Sequence, residues 1–237
     1  MFLRLTLFVL SFFDFFHKKK IVNFFKRKKI VHFETFFDVG AHHGESINFY
    51  SKNFKIEKIY SFEPSQDNFD ILKKKINKKQ FKNKKIFIEN FALGEKSKNE
   101  ILRQTNETSS SSINEINKNS KYYKKKRFFL QLDYEKKLNI RQIKLRDYIK
   151  ENKIVKMDLM KIDTEGYEYF VMLGADEFLK DFKYIIFEHH YDDMIEKKYK
   201  FSQISKLLKE NNFIQMLKLK MPFRKTFEYI YFNKKIL

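Results

Sequence analysis

Short runs of apolar, β-forming residues alternate along this chain with segments that have helical spacing. The first run predicts a buried strand over Thr35–Val39, and the segment Glu45–Asn53 predicts a helix. Gly40 and Gly44 lie between them, where a glycine can adopt a positive φ or allow a ligand to approach the backbone. The stretch therefore predicts a strand, a glycine turn and a helix.

The same alternation continues for two further strands. Strands are predicted over Lys58–Phe62 and Lys85–Glu89, with a helix over Gln66–Lys78 between them. A β-α-β-α-β order with short connections predicts a parallel sheet covered by helices.

The pattern then weakens, and later resumes. Residues 95–137 contain a serine-rich run and a basic run and predict a loop-rich insertion. Such a long loop either contributes to substrate recognition or is a solvated insertion without a role. Beyond it, strands are predicted over Leu159–Ile162 and Tyr184–Glu188, and two antiparallel strands over 213–219 and 227–232 close the domain. We therefore predict a domain over residues 35–237.

Residues 1–34 are predicted to form a helical extension that is first apolar and then basic. Met1–Phe16 is shorter than the roughly 20 residues that span a bilayer, and no small-residue cleavage site follows it. Either this helix packs on the domain, or it lies on a membrane with Lys18–Lys20 at the lipid headgroups. The protein is accordingly expected in the cytoplasm, either free or at the inner face of the membrane.

Composition narrows the choice of function only slightly. The formal charge of +20 suggests nucleic acid or an anionic membrane as a partner. The joint enrichment of Lys, Asn, Ile and Phe, whose codons are A/T-rich, explains the charge equally well. The absence of cysteine excludes disulfides, thiolate metal sites and cysteine nucleophiles.

Acidic residues follow the predicted strands. In a parallel sheet the carboxyl ends of the strands share one edge, and ligands bind in the crevice outside it. Glu63, 19 residues after Gly44, is placed to bind ribose hydroxyls. No metal is predicted at Glu188-His189-His190, because neighbouring residues of a strand point to opposite faces. The acids at this edge are Asp38, Glu63, Asp163, Glu165 and Glu188.

Four motifs occur in an order that resembles the FkbM-type S-adenosylmethionine-dependent methyltransferases. They are Asp38-Val39-Gly40-Ala41-His42-His43-Gly44, Phe62-Glu63-Pro64, Asn90-Phe91-Ala92-Leu93-Gly94 and Lys161-Ile162-Asp163-Thr164-Glu165-Gly166-Tyr167-Glu168. The resemblance implies a Rossmann-like class I methyltransferase fold, with a mostly parallel seven-stranded sheet, an antiparallel last strand and helices on both faces. It also implies S-adenosylmethionine as cofactor and methyl transfer to a hydroxyl of a sugar or another small metabolite. His42 replaces the asparagine usual in that family, and an imidazole can still make one hydrogen bond.

The resemblance and the predicted edge together suggest roles for individual residues. Gly40, Ala41 and Gly44 are expected against the amino-acid end of the cofactor, Glu63 at the ribose, Asn90 and Ala92 at the adenine, and Asp163 at the ammonium group. Asp38 is a further cofactor-binding candidate. Glu165 and His189 are the candidates for a base or a substrate-orienting group, although Glu165 could instead cap a helix and His189 could be structural. The rival functions are an RNA methyltransferase, a cofactor-binding protein without catalysis and a membrane-peripheral scaffold.

Overall fold

The computed structural model describes residues 2–78, 81, 84–130 and 135–236, and the side chains of 2–12 and 135 lie outside the description. The strands are β1 His32–Val39, β2 Lys55–Phe62, β3 Lys85–Glu89, β4 Ala92–Gly94, β5 Lys98–Thr105, β6 Glu135–Lys144, β7 Met157–Ile162, β8 Phe182–His190, β9 Phe213–Lys220 and β10 Thr226–Asn233. The helices are α1 Phe2–Arg27, α2 Glu45–Asn53, α3 Gln66–Ile76, α4 Lys121–Leu130, α5 Leu145–Glu151, α6 Glu168–Ala175 and α7 Phe201–Glu210.

Seven strands form one sheet in the order β3-β2-β1-β7-β8-β10-β9. The strands β3, β2, β1, β7 and β8 pair in parallel, whereas β10 runs antiparallel to both β8 and β9. The predicted fold class is therefore confirmed, including the antiparallel last strand. The carboxyl ends of β1, β2, β7 and β8 share one edge of the sheet.

The sheet has a hydrophobic core on each face because its central strands carry apolar side chains on both faces. Phe36 and Phe37 are adjacent in β1, and they belong to two different clusters of buried side chains. Helices α1, α2 and α3 contribute to the cluster of Phe36, and α5, α6 and α7 to that of Phe37. Both faces of the edge that carries the acids are therefore rigidly supported.

The basic half of α1 is part of the domain. Phe25 is completely buried, and its ring contacts the rings of Phe33, Phe54 and Tyr184 edge-on. Strand β1 begins at His32, before the predicted domain boundary at residue 35. The division at 34/35 is thus corrected, because the helix supplies aromatic rings that the sheet needs for its core.

The prediction of a loop-rich insertion over residues 95–137 was wrong for most of that stretch. It contains β5, α4 and the start of β6, and β4, β6 and β5 form a second, three-stranded sheet. The hydrophobic pattern does not reveal strand β5, because only Ile101 and Leu102 among its eight residues are apolar. Its antiparallel pairing with β6, about 37 residues later in the chain, stabilises it instead. Residues 131–134 lie outside the described part of the chain.

Within the described part of the chain, none of the helices combines the length and the apolar character that crossing a bilayer requires.

Candidate active site

The turn after β1 brings backbone from three strands together. The amides of Gly40 and Ala41 donate to the carbonyl oxygen of Phe62, and the amide of Asp163 donates to that of Val39. Gly40 has φ +82°, and a Cβ at this position would overlap the backbone oxygen of Asp163. Only glycine therefore fits where the β1 and β7 ends meet.

A first cavity opens beside this turn. Its floor contains Gly40, Glu63 and Asp163, its apolar walls include Phe62 and Ala92, and the serine-rich run after β5 forms its rim. The carboxylate of Glu63 is held in place, since its Oε2 accepts a hydrogen bond of 2.8 Å from the His42 amide and its Oε1 one of 2.9 Å from the Ser65 amide.

A buried group of charges lies directly under the turn. Partial burial raises the pKa of Asp163, but the Lys161 ammonium, which donates to its Oδ2 at 2.8 Å, outweighs this effect and lowers the pKa. Asp38 is fully buried, and neither of its carboxylate oxygens has a hydrogen-bond partner. Burial, opposed in part by Lys161, raises the pKa of Asp38 to about 7. Asp38 lines neither the first cavity nor the second one described below, so it acts on the site through its charged neighbours Lys161 and Asp163 rather than by touching a ligand.

A second, larger cavity lies on the other side of the same turn. The inner face of α1 and the β9–β10 turn form one wall, in which Arg224 pairs with Asp14 at 3.2 Å. Nε2 of His17 contacts Oε2 of Glu228 on β10 at 2.8 Å. Glu188 and Lys161 also line this cavity. The two cavities share Gly40, His42, Ser109 and Asp163, so ligands in them would meet at the turn.

Glu165 and His190 form a buried pair next to these cavities. Nε2 of His190 lies 3.2 Å from Oε2 of Glu165, and its Nδ1 lies 3.5 Å from Oδ2 of Asp192. Burial lowers the pKa of His190, but Glu165, Asp192 and Glu188 outweigh it and raise the pKa to about 9. Burial raises the pKa of Glu165 itself. Glu165 lines neither cavity, so it is placed to position other groups rather than to touch a ligand.

His189 is not in the place that the sequence analysis assigned to it. Its ring packs against the rings of Tyr191, Tyr199 and Phe201 and lines neither cavity. Burial lowers its pKa to about 4, so the ring is neutral. The correction follows from strand periodicity, because Glu188 and His190 share one face of β8 and His189 lies on the other.

Three expected cofactor contacts also differ in detail. The Asn90 side chain donates to the backbone oxygens of Glu63 and Pro64, so it holds the end of β2 and lines neither cavity. Gly44 begins α2 with φ +82° and faces the side chain of Leu72 rather than a cavity. Ala41 lines the second cavity, whereas Ala92 lines the first.

The structure also brings in residues that the sequence analysis did not select. Thr108 reaches the site because its hydroxyl lies 2.8 Å from Nε2 of His42. The side chains of His42, His43 and Glu45 place ligand atoms within 4.8 Å of one another and could hold a metal ion. The sequence does contain a signal for Lys161, since it is the one basic residue near the apolar end of the predicted strand Leu159–Ile162. No sequence motif around Asp14 or Arg224 indicates a functional site. The two residues reach the second cavity because α1 packs against the β9–β10 turn.

A pH-dependent contribution to stability is expected from His190. Its pKa of about 9 in the folded protein exceeds its ordinary value of 6.5, so its charge stabilises the fold fully below pH 6.5 and this stabilisation is lost as the pH rises through 9. His190→Gln should lower the free energy of unfolding on the order of 3 kcal/mol at pH 6, and the deficit should shrink toward pH 9.

Urea unfolding of both proteins from pH 6 to pH 9 measures this effect. His32→Gln is the matched control, because that exposed histidine pairs only with the exposed Glu57. A deficit of His190→Gln that stays constant with pH would show that the charge of His190 is not stabilising.

Comparison with known proteins agrees with this geometry. A family model described as the methyltransferase FkbM domain matches residues 38–214. The structure of the methyltransferase FkbM from Methylobacillus flagellatus superposes with a TM-score of 0.53 at 15% identity, covering 84% of this chain and 43% of that one. The chain thus spans less than half the length of that protein. The magnesium protoporphyrin IX methyltransferase from Synechocystis, solved with bound SAM, gives a TM-score of 0.51 at 10% identity, covering 92% and 78%. Comparison with curated proteins returned no match.

Proposed function

The chain belongs to the FkbM family of methyltransferases, and from this membership we propose that it transfers the methyl group of S-adenosylmethionine to a hydroxyl of a small polar acceptor such as a saccharide. The observation that carries the proposal is the pair of cavities that meet at Gly40, His42, Ser109 and Asp163. A donor in the first cavity and an acceptor in the second would be adjacent at this point. Methyl transfer requires such adjacency, because alignment supplies about 7–11 kcal/mol of a typical barrier.

The residues that line the first cavity support its role as the donor site. Glu63 is placed for the ribose hydroxyls, and Ala92 and Phe62 offer an apolar wall for the adenine. The carboxylate of Asp163, which lines this cavity, provides negative charge for the ammonium and the sulfonium. When bound, the donor supplies an electrophilic methyl group, whose bond to sulfur breaks as the acceptor oxygen bonds to its carbon.

The second cavity favours a small acceptor that carries hydroxyl groups. Its lining contains acids and bases from several elements, including Asp14, Lys18, Glu45 and Arg224, which can hydrogen-bond a polyol. Glu188 lines the same cavity, and burial together with Asp163 and Glu228 raises its pKa to about 8. A carboxylate with such a pKa is suited to accept the proton that the hydroxyl loses.

Glu165 retains a role as a positioning residue in this proposal. Its pairing with His190 fixes the ring beside Glu188 and Asp163, whose carboxylates act electrostatically on that ring. The net charge of +20 also suits an RNA acceptor. Incubation with labelled donor and a fractionated extract distinguishes the acceptors, since label is expected in the saccharide or lipid fractions. Label confined to nuclease-sensitive material would contradict a small acceptor.

Donor binding is tested most directly at Glu63. Glu63→Gln removes a charged acceptor of hydrogen bonds worth about 1.5–3 kcal/mol, so the donor Kd should rise roughly 10- to 100-fold. Isothermal titration of S-adenosylmethionine into both proteins measures this change.

Glu57→Gln is the matched control, because Glu57 lies earlier on the same strand and is exposed. An unchanged Kd in Glu63→Gln would show that Glu63 does not bind the ribose of the donor. A wild-type protein that binds no donor would refute the proposed function.

A further inference from the structure

Exposed aromatic residues gather on two segments of the chain, α1 and the β9–β10 turn, that also line the second cavity. Phe13, Phe15 and Phe16 of α1 are exposed, and Phe223 at the β9–β10 turn is 72% exposed. The ring of Phe223 meets that of Phe13 edge-on, with centroids 5.0 Å apart. We call these four residues the aromatic patch. Phenylalanines concentrated in this way mark an interaction surface.

A band of basic residues continues from the aromatic patch along the same side of α1. Lys19, Lys20, Lys26 and Arg27 are exposed, whereas His17, Ile21, Val22 and Phe25 on the other side are buried. Lys225 is exposed next to Phe223. The helical backbone also continues to Phe2 through a sequence in which Arg4 is the one charged residue. Aromatic residues followed by lysines on one side of a helix are typical of helices that lie in an anionic membrane interface.

The buried side of the same helix forms a wall of the second cavity. Asp14, His17 and Lys18 line that cavity from α1, and Met221 and Arg224 line it from the turn that carries Phe223. The ion pair between Asp14 and Arg224 joins these two segments directly behind the aromatic patch. The aromatic patch and the second cavity are therefore formed by the same two segments, α1 and the β9–β10 turn.

We propose that the aromatic patch and the basic band dock the protein on an anionic lipid bilayer, and that the acceptor hydroxyl belongs to the headgroup of a membrane lipid. The substrate class rests on the proposed methyltransferase function, whereas the docking does not. Charge complementarity selects the bilayer as the occupant, because lysines adjoin the aromatic rings. Asp14, Lys18 and Arg224 line the second cavity from the same segments that carry the aromatic patch, so a docked protein would present these side chains near the lipid headgroups.

Docking is tested by sedimentation of the full chain with vesicles. Phosphatidylcholine vesicles with 30% phosphatidylglycerol should bind the protein, and pure phosphatidylcholine should bind it at least tenfold more weakly. The double variant Phe15→Ser/Phe223→Ser should lose about tenfold in partition onto the anionic vesicles, since both rings leave the interface. Val155→Ser is the matched control, because Val155 is 83% exposed in the loop before β7, at the opposite edge of the sheet.

Three results would overturn docking. The wild-type protein could remain in the supernatant, the control variant could lose as much binding as the double variant, or the vesicles could stay unbound while single-stranded RNA binds in a manner that depends on Lys19 and Lys20. The last result would make the surface a nucleic-acid interface.

The substrate class is tested by presenting labelled donor with vesicles of total lipid extract. Label should enter the lipid fraction, and Phe15→Ser/Phe223→Ser should lower that rate about tenfold while donor affinity stays normal. Transfer to water-soluble saccharides at a rate that these substitutions do not change would refute the lipid acceptor alone. Failure to transfer methyl to any acceptor, or to bind the donor, would instead refute the proposed function.

Discussion

Gly40→Ala is expected to abolish binding of S-adenosylmethionine. The new Cβ would overlap the backbone oxygen of Asp163, and alanine disfavours the φ of +82° by roughly 1–2 kcal/mol. Because the overlapping atom belongs to the backbone and not to a flexible side chain, the ends of β1 and β7 must separate to accommodate the new Cβ. We expect a loss of at least about 3 kcal/mol in stability and a rise of the donor Kd by about 100-fold or more.

Thermal melting with and without 1 mM donor measures both effects, since a bound ligand raises the melting temperature. Gly44→Ala is the matched control, because Gly44 has the same φ but its Cβ would meet a flexible Leu72 methyl group. That variant should lose only about 1–2 kcal/mol and keep the donor-induced shift. A normal shift in Gly40→Ala would contradict the proposed approach of the donor to this turn.

Glu188→Gln is expected to lower the rate of methyl transfer roughly 10²- to 10⁴-fold, the usual contribution of a general base. The pKa of Glu188 is raised to about 8, first by burial and then by Asp163 and Glu228. Since the ionised form accepts the proton, the wild-type rate should rise with pH through 8. The variant should lack that rise.

Initial rates from pH 6 to pH 9 at saturating donor measure this prediction, and donor affinity in the variant should stay unchanged. Glu177→Gln is the control, because Glu177 forms exposed ion pairs with Arg146 and Lys150 far from either cavity. Wild-type rates in Glu188→Gln would exclude this carboxylate as the base.

The sheet was predictable because its signals are local. Apolar runs such as those ending at Val39, Phe62 and Ile162 fix strands, and parallel topology then brings their carboxyl ends to one edge. The meeting of Gly40, Glu63 and Asp163 at one cavity therefore followed from order along the chain. Glu188 was also noted at this edge, although its environment and pKa could not be read from the sequence.

The errors arose where long-range contacts decide the structure. His189 and His190 are neighbouring residues of the same type, so the sequence alone does not tell which of them faces the site. The register of β8 against β10 places His190 on the face of Glu165. Strand β5 depends on hydrogen bonds to β6, so its own residues show little β character. The part of α1 in the second cavity depends on contacts with the last strand, which no local pattern reveals.

The contact between His17 and Glu228 joins residues 211 positions apart. During translation the amino-terminal helix and the first strands leave the ribosome long before β10 exists, although domains tend to fold from the amino terminus as they emerge. The residues that line the first cavity lie between Val39 and Tyr167, whereas the second cavity gains its final wall only after Glu228 has been added. A nascent chain that lacks its last strand would hence contain every residue of the proposed donor site but only part of the proposed acceptor site.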